Sequence, residues 1–318
     1  MSEIIMREKQ VLEILPQIDV FSTVESMFGA LGRGEAVQPK QVQTLFPNNR
    51  GDFINYSGVW ESAGVYGLKT SPFIIQNEGY TVTAWTLLMS MQTGQPLLLV
   101  DSSRLTLERT AATTAVAVKY LARAEAKRLA VIGTGSQALA HIRYVRKLRS
   151  WDSINVWSLH SQELSQEMRD EFIKTGQGCL HFAASKKEAL ENADVILLCT
   201  SAAEPVVERD DITGAPLITS ISTNAPGAHE IAPTMLSSMD VYCDCATSTA
   251  TVAGEMKKAI ELGVWGADQV KGDLGALVNG TCEKPAYDKP IFFRSIGQGL
   301  EDIAVALAVY EKIKQGEN

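Results

Sequence analysis

Gly133, Gly135 and Ala138 stand in a G-x-G-x-x-A spacing, between the apolar run LAVI and a stretch with helical spacing. That spacing suits recognition of a pyrophosphate by backbone. The first glycine allows a tight turn, the second lets the chain approach phosphate, and the small alanine lets helix and strand pack closely. The N–H groups of Ser136 and Gln137 then face phosphate from the positive end of a helix. An Asp or Glu about 20 residues further on normally accepts hydrogen bonds from the ribose. Here the next strand, INVW, runs instead into Ser158, Leu159, His160 and Ser161. Without a carboxylate nothing repels a 2′-phosphate, and Ser158, His160 and Ser161 can donate to its oxygens. No arginine stands at that strand end. The expected cofactor is therefore NADPH, with NADH tolerated.

The elements that must position this loop are legible from periodicity. RLAVIG, SINVWS, ADVILLCTS, APLITSIS and DVYCDC read as strands with helical stretches between most of them, the alternation of a doubly wound parallel sheet. Ahead of them the pattern differs. Residues 7–34 carry two helical stretches, and Gly32 and Gly34 are natural stops. Residues 37–101 carry closely spaced strand-like runs, including GDFINYSGVW, GVYGLKTSPFI, YTVTAWTLLMSM and QPLLLVD. Turn-formers separate these runs, which predicts a mostly antiparallel sheet. A helix is expected over 107–124, and GQGLEDIAVALAVYEKIKQ reads as an amphipathic helix with Ile303, Leu307, Tyr310 and Ile313 on one stripe. The expected fold class is α/β: a Rossmann-type doubly wound sheet over 125–295, plus an N-terminal α+β domain over 1–124 joined by the last helix, 296–318.

The bulk numbers limit the partners. The chain has 318 residues, 45% apolar and 21% charged, with 29 basic against 37 acidic residues and a net charge of −8. That balance disfavours binding to nucleic acid or an anionic membrane surface. No apolar run is long enough to span a bilayer, and the opening MSEIIMREKQ lacks the apolar stretch of a secretory signal. The five cysteines, Cys179, Cys199, Cys243, Cys245 and Cys282, are irregularly spaced, as reduced cytoplasmic thiols are. The CDC at 243–245 has no second pair and fits an alternating buried strand better than zinc, so no metal is expected.

GLKT (67–70), ERTAATTAVAVKYLA (108–122), VIGTGSQA (131–138), ADVILLCTSAAEPV (193–206), NAPGAHEI (224–231) and FRSIGQGLEDIAVA (293–306) occur in an order and spacing more specific than any one of them. With these segments the chain resembles the ornithine cyclodeaminase/mu-crystallin family over nearly its whole length. The resemblance implies a homodimer built through the N-terminal sheet domain, NAD(P) in the second domain, and an active site between the two. It assigns Lys69 as the substrate lysine and Arg109 as the arginine near the substrate carboxylate and the cofactor. Such a cation pair suits a small α-imino or α-amino acid, and Lys69 could supply the proton an imine nitrogen takes up. By the same matching Thr81, Ser136, Gln137, Ser158, Thr200, Ser222 and Ser295 line the cofactor, and Ile296 sits by the substrate.

Two departures from the family pattern bear on the chemistry. Gln41 occupies the place of a usual carboxylate-binding arginine, with Lys40 beside it. Asn224 replaces an aspartate that moves protons when an amino group is exchanged; an amide can hydrogen-bond a substrate but cannot take up the proton. A preformed imine needs only hydride, a carboxylate anchor and one proton. The expected activity is NADPH-dependent reduction of a small cyclic imino acid, foremost Δ1-pyrroline-2-carboxylate to L-proline. Tyr56, Trp60 and Trp85 are candidates to pack on the ring. The alternatives are an ornithine cyclodeaminase-type lyase, a reductase of another imino or keto acid such as iminosuccinate, an alanine dehydrogenase-like enzyme, and a crystallin-like NADPH-binding protein with little turnover. His229 could replace Asn224 as a proton donor, although a structural role is the stronger reading.

Overall fold

The computed structural model of the protein describes residues 4–222 and 227–316. The chain divides into two compact units, Met1–Thr110 with Gly297–Asn318, and Ala111–Ile296.

The first unit begins with β1 (Ile4–Met6), α1 (Glu8–Ile14) and α2 (Val20–Gly32). Asp19 caps α2 by accepting from the Ser22 N–H at 3.1 Å, and Val20, Val24, Met27 and Phe28 form its buried stripe. The strands are β2 (Ala36–Val37), β3 (Val42–Leu45), β4 (Gly51–Trp60), β5 (Val65–Ile75), β6 (Tyr80–Val82), β7 (Trp85–Ser90) and β8 (Pro96–Asp101). They pair in the order β1-β8-β7-β5-β4-β2, with β3 added to β4 and β6 to β5. All pairings are antiparallel except β1 with β8. YTVTAWTLLMSM, expected as a single strand, breaks at Thr83–Ala84 into β6 and β7, which pair with different stretches of β5.

Helix α3 (Ser103–Leu121) carries the chain into the second unit, whose elements are β9 (Arg128–Ile132), α4 (Ser136–Val145), β10 (Ser153–Trp157), α5 (Gln166–Gly176), β11 (Leu180–Phe182), α6 (Lys186–Leu190), β12 (Val195–Leu198), β13 (Leu217–Ser220), β14 (Asp240–Cys243), α7 (Thr249–Val252), α8 (Gly254–Glu261), β15 (Val270–Asp273), α9 (Leu274–Asn279) and β16 (Ile291–Arg294). Eight parallel strands run in the order β11-β10-β9-β12-β13-β16-β14-β15. β12, and β9 beyond the exposed Arg128, are buried on both faces, which accounts for their apolar runs; β13 is buried throughout as well. The order reverses direction between β9 and β12, the point at which doubly wound sheets generally take a ligand at the carboxyl ends of their strands. This is the expected α/β fold with its mixed, mostly antiparallel partner sheet. β11, β15 and β16 are strands beyond the five expected in this region from the sequence.

The last helix, α10 (Gly299–Gly316), belongs to the first unit and packs on β4, β5 and α2. Glycines permit the close approach. A Cβ on Gly58 would lie 2.8 Å from Leu300 Cα, and one on Gly299 would lie 2.4 Å from the Ser57 carbonyl oxygen. Gly58 and Gly67 face each other across the β4–β5 pair, so the sheet is bare where the helix begins. Strand alternation turns Val65, Gly67 and Lys69 to this covered face. A lysine is thereby carried under a helix.

Candidate active site

Lys69 is buried, with only 3% of its side chain exposed, and four groups surround its ammonium. Asp302 in the first turn of α10 pairs with it at 2.9 Å. The ring of Tyr56, its cross-strand neighbour, lies 4.4 Å away, within cation–π reach. Thr106 Oγ1 is 3.5 Å off, at the limit of a hydrogen bond. Arg109 completes the group. Its Nε donates to Asp302 Oδ1 and its Nη1 to Glu301 Oε2, each at 3.0 Å. Both carboxylates are wholly buried, and Glu301 also accepts from the Gln298 N–H at 2.9 Å.

Two buried cations thus face two buried anions. Isolated charges could not be held here, because desolvation costs several kcal/mol per ion. Burial pulls Lys69 down to about 8; Asp302 opposes the fall and the Arg109 charge adds to it. Burial acts the same way on Arg109, but Asp302 and Glu301 outweigh it and hold the guanidinium above its ordinary value. Tyr56 is pushed up to about 12, chiefly by burial, and stays a neutral phenol. The arrangement contains one group able to exchange a proton near neutral pH, Lys69, beside a cation that cannot.

In the second unit the glycine-rich turn lies where the adjacent strands β9 and β12 end. Gly133 has φ +127°, and a Cβ there would lie 2.3 Å from the Cys199 carbonyl oxygen after β12, so glycine is required. Gly135 caps α4 without a side-chain hydrogen bond, and a Cβ on it would meet nothing within 4 Å. The first N–H groups of α4 therefore open onto free space beside exposed Ser136, as anion binding by a helix start requires. Gln137 Oε1 is buried with no hydrogen-bond partner among the described residues. These residues fit a dinucleotide pyrophosphate. Beneath them, His141 bonds to the Gln137 carbonyl oxygen at 2.7 Å and Thr114 Oγ1 at 2.9 Å; burial lowers it to about 4, so it packs as a neutral ring.

Glu230 went unnoticed in the sequence. Its fully buried carboxylate takes four hydrogen bonds: Thr200 N–H at 2.8 Å and Thr200 Oγ1 at 2.7 Å on one oxygen, Ser220 Oγ at 2.7 Å and Ser222 N–H at 2.9 Å on the other. It ties together the turns after β12 and β13 and holds Ser222 at φ +45°. Asp244 does similar work after β16. It accepts from Ser295 Oγ at 3.1 Å, the Ile296 N–H at 2.7 Å and Thr249 Oγ1 at 2.6 Å. Lone acids inside NAPGAHEI and CDC gave no periodic or spacing signal. The same holds for Glu301 and Asp302, which read as ordinary acids in the first turn of an amphipathic helix.

The remaining expected site residues fall as follows. Lys69 and Arg109 are joined through Asp302, while Thr200 and Ser222 share Glu230, and Ser295 and Ile296 share Asp244. Ser158 bonds to Thr134 Oγ1 at 2.8 Å, linking the glycine loop to the end of β10. Ser161 is buried and its hydroxyl serves the loop itself, accepting from the Ser158 N–H at 2.7 Å and donating to the Ser158 carbonyl at 2.9 Å. His160 is exposed and pairs with Glu163 at 3.1 Å. Thr81, on β6, accepts from Gln76 Nε2 at 2.7 Å. Gln41 is half-buried ahead of β3, and Lys40 is exposed. It is Gln38 that reaches α10, accepting from the Leu300 N–H at 2.9 Å. Of the three aromatics only Tyr56 meets Lys69; Trp60 bonds to Ser62 and Trp85 lies under Arg7. His229 is buried against the Gly227 carbonyl at 2.9 Å, with Lys258 Nζ 3.3 Å away. Asn224 lies outside the described residues.

The model of the ornithine cyclodeaminase/mu-crystallin family matches residues 2–317. The chain belongs to this family. It is 49% identical to the NAD(P)H-dependent anabolic L-arginine dehydrogenase of Pseudomonas aeruginosa, over 98% of both chains. It is 27% identical to a Δ1-pyrroline-2-carboxylate reductase of Bacillus cereus, over 87% of this chain and 86% of that one. The iminosuccinate reductase of Paracoccus denitrificans, solved with NAD+, matches with a TM-score of 0.88 at 25% identity, covering 99% of this chain and 97% of that one. Among the described residues, no helix is long and apolar enough to cross a membrane.

The quartet makes a stability prediction. Asp302→Asn leaves Lys69 and Arg109 sharing one carboxylate in a dry site, and should lower unfolding free energy by about 3–5 kcal/mol, the usual loss when a buried pair is broken. Urea titration reads this; a loss under about 1 kcal/mol would show that the pairs are solvated.

Proposed function

We propose that the protein is an NAD(P)H-dependent oxidoreductase that reduces the C=N bond of an α-imino acid to an α-amino acid. The observation that carries this reading is the 49% identity, over nearly the whole of both chains, to an NAD(P)H-dependent L-arginine dehydrogenase. That relative also shifts the expected substrate. A linear imino acid of the arginine type, formed from its 2-oxo acid and ammonia, becomes the first choice ahead of Δ1-pyrroline-2-carboxylate. The cyclic substrate stays as the second reading, supported by relatives at 27% identity that reduce it.

Bound NAD(P)H supplies the hydride to the imine carbon. Arg109 anchors the substrate carboxylate, using guanidinium N–H groups beyond the two already given to Glu301 and Asp302. Lys69 delivers a proton to the imine nitrogen, and an amine and NAD(P)+ result. An arriving carboxylate adds negative charge beside Lys69 and favours its protonated form, so the proton is in place when the imine binds. Asp302 holds the ammonium, and Tyr56 shields it from water. Gly133, Gly135, Ser136 and Gln137 would hold the pyrophosphate of the bound nucleotide, and Thr200, Ser222 and Ser295 would line the cofactor. No step requires a carboxylate at position 224.

NADPH absorbance is followed with the 2-oxo acid of arginine plus ammonium, and separately with Δ1-pyrroline-2-carboxylate. Rapid loss with an L-amino acid product is expected for the first. Silence with every imino acid and both nucleotides would overturn the reading. The pH dependence follows from Lys69, lowered to about 8. Imine reduction needs the protonated lysine, so kcat/KM, which reports the free enzyme, falls as pH rises through about 8; kcat/KM for amino acid oxidation needs the free amine and rises over the same range.

We also infer a homodimer paired through the first unit, where Val42, Leu45, Ile75, Tyr80 and Val82 leave apolar surface exposed. Light scattering should give twice the chain mass of 34.6 kDa, and a monomer would refute the pairing.

A further inference from the structure

The end of β10 lacks both the acid that would select NADH and an adjacent arginine that would select NADPH. The fold brings an arginine there from elsewhere. Helix α5 starts at Gln166 and runs back from the carboxyl edge of the parallel sheet, so its first turn lies on the nucleotide side. Arg169, the fourth residue of α5, donates from Nη2 to the Ser161 carbonyl oxygen. Its guanidinium carbon lies 5.0 Å from the ring centre of Phe182 on β11, which fixes the plane of the fork.

The charge of Arg169 is left over. Four acids lie close in sequence on the loop and helix, Glu163, Glu167, Asp170 and Glu171; Glu163 pairs with His160 at 3.1 Å, and Asp170 accepts from Gln166 at 2.8 Å. Among the described residues no carboxylate pairs with Arg169. In a chain with net charge −8, a half-buried arginine held at a loop yet lacking an acid is poised for an anion from outside. The serines there cannot serve fully, since Ser161 spends its hydroxyl on Ser158.

We propose that Arg169 is the residue that recognises the 2′-phosphate of NADPH, its free N–H groups forming a charge-assisted fork with the phosphate oxygens while Ser158 donates beside it. This rests on the dinucleotide reading above and deepens it. Arg169 determines cofactor choice and takes no part in hydride or proton transfer.

The test compares binding of NADPH and NADH by calorimetry in the full chain, for the native protein, Arg169→Gln and Arg169→Lys. Hydrogen bonds to a charged group predict that Arg169→Gln weakens NADPH about ten- to a hundredfold. NADH should change less than about twofold, and Arg169→Lys should recover part of the loss, since a point charge still attracts phosphate without the planar fork. A residue that merely staples the loop through Ser161 and Phe182 would weaken both nucleotides alike, and that outcome overturns the proposal. So does NADPH binding that is unchanged in Arg169→Gln, or a native protein that binds both nucleotides equally. If the native protein binds neither, the dinucleotide reading itself fails, and this inference falls with it.

Discussion

Burying a lysine is the constraint around which the first unit is arranged. Alternation along β5 leaves Lys69 no outward choice, and burial without an anion would discharge or expel it. The answer comes from far along the chain, where α10 sets Glu301 and Asp302 against Lys69 and Arg109. That approach depends on Gly58 and Gly299, because a side chain at either place would lift the helix and its acids away from the sheet. Packing, charge and proton chemistry are one problem here. The same desolvation that demands Asp302 also lowers Lys69 into the range where it can exchange a proton.

The second unit solves a different problem, holding several loops at the edge of a parallel sheet without filling the space in front of them. Gly133 brings its turn against Cys199, and Gly135 leaves the start of α4 open. Buried carboxylates do the tying: Glu230 joins the turns after β12 and β13, and Asp244 orders the segment after β16. Each accepts hydrogen bonds on both oxygens, which offsets the cost of burying the anion.

Much of this was legible in the sequence. The G-x-G-x-x-A spacing and the apolar runs gave the doubly wound sheet, and the ordered segments pointed to the family. The strand alternation V-x-G-x-K around Lys69 is also readable in the sequence. What could not be read were the partners. Glu301 and Asp302 have the spacing of any helix start, and Glu230 sits in a segment whose attention went to Asn224 and His229. Their roles arise from tertiary contacts, Arg109 with Asp302 across 193 positions and Thr200 with Glu230 across 30. Local periodicity holds no trace of them. Arg169 has no local signal for the same reason: the charge reaches the end of β10 from a helix at its side and not along the strand.

The proposed proton transfer turns on the state of Lys69, which can be observed directly. Lysine labelled with carbon-13 at Cε is titrated by NMR, and the Lys69 signal is assigned by its loss in Lys69→Met. A midpoint near 8 is expected, because burial and the neighbouring Arg109 charge disfavour the ammonium. A midpoint at the ordinary lysine value of about 10.4 would contradict it, because the ammonium would then be solvated and could not serve as the proton donor proposed here.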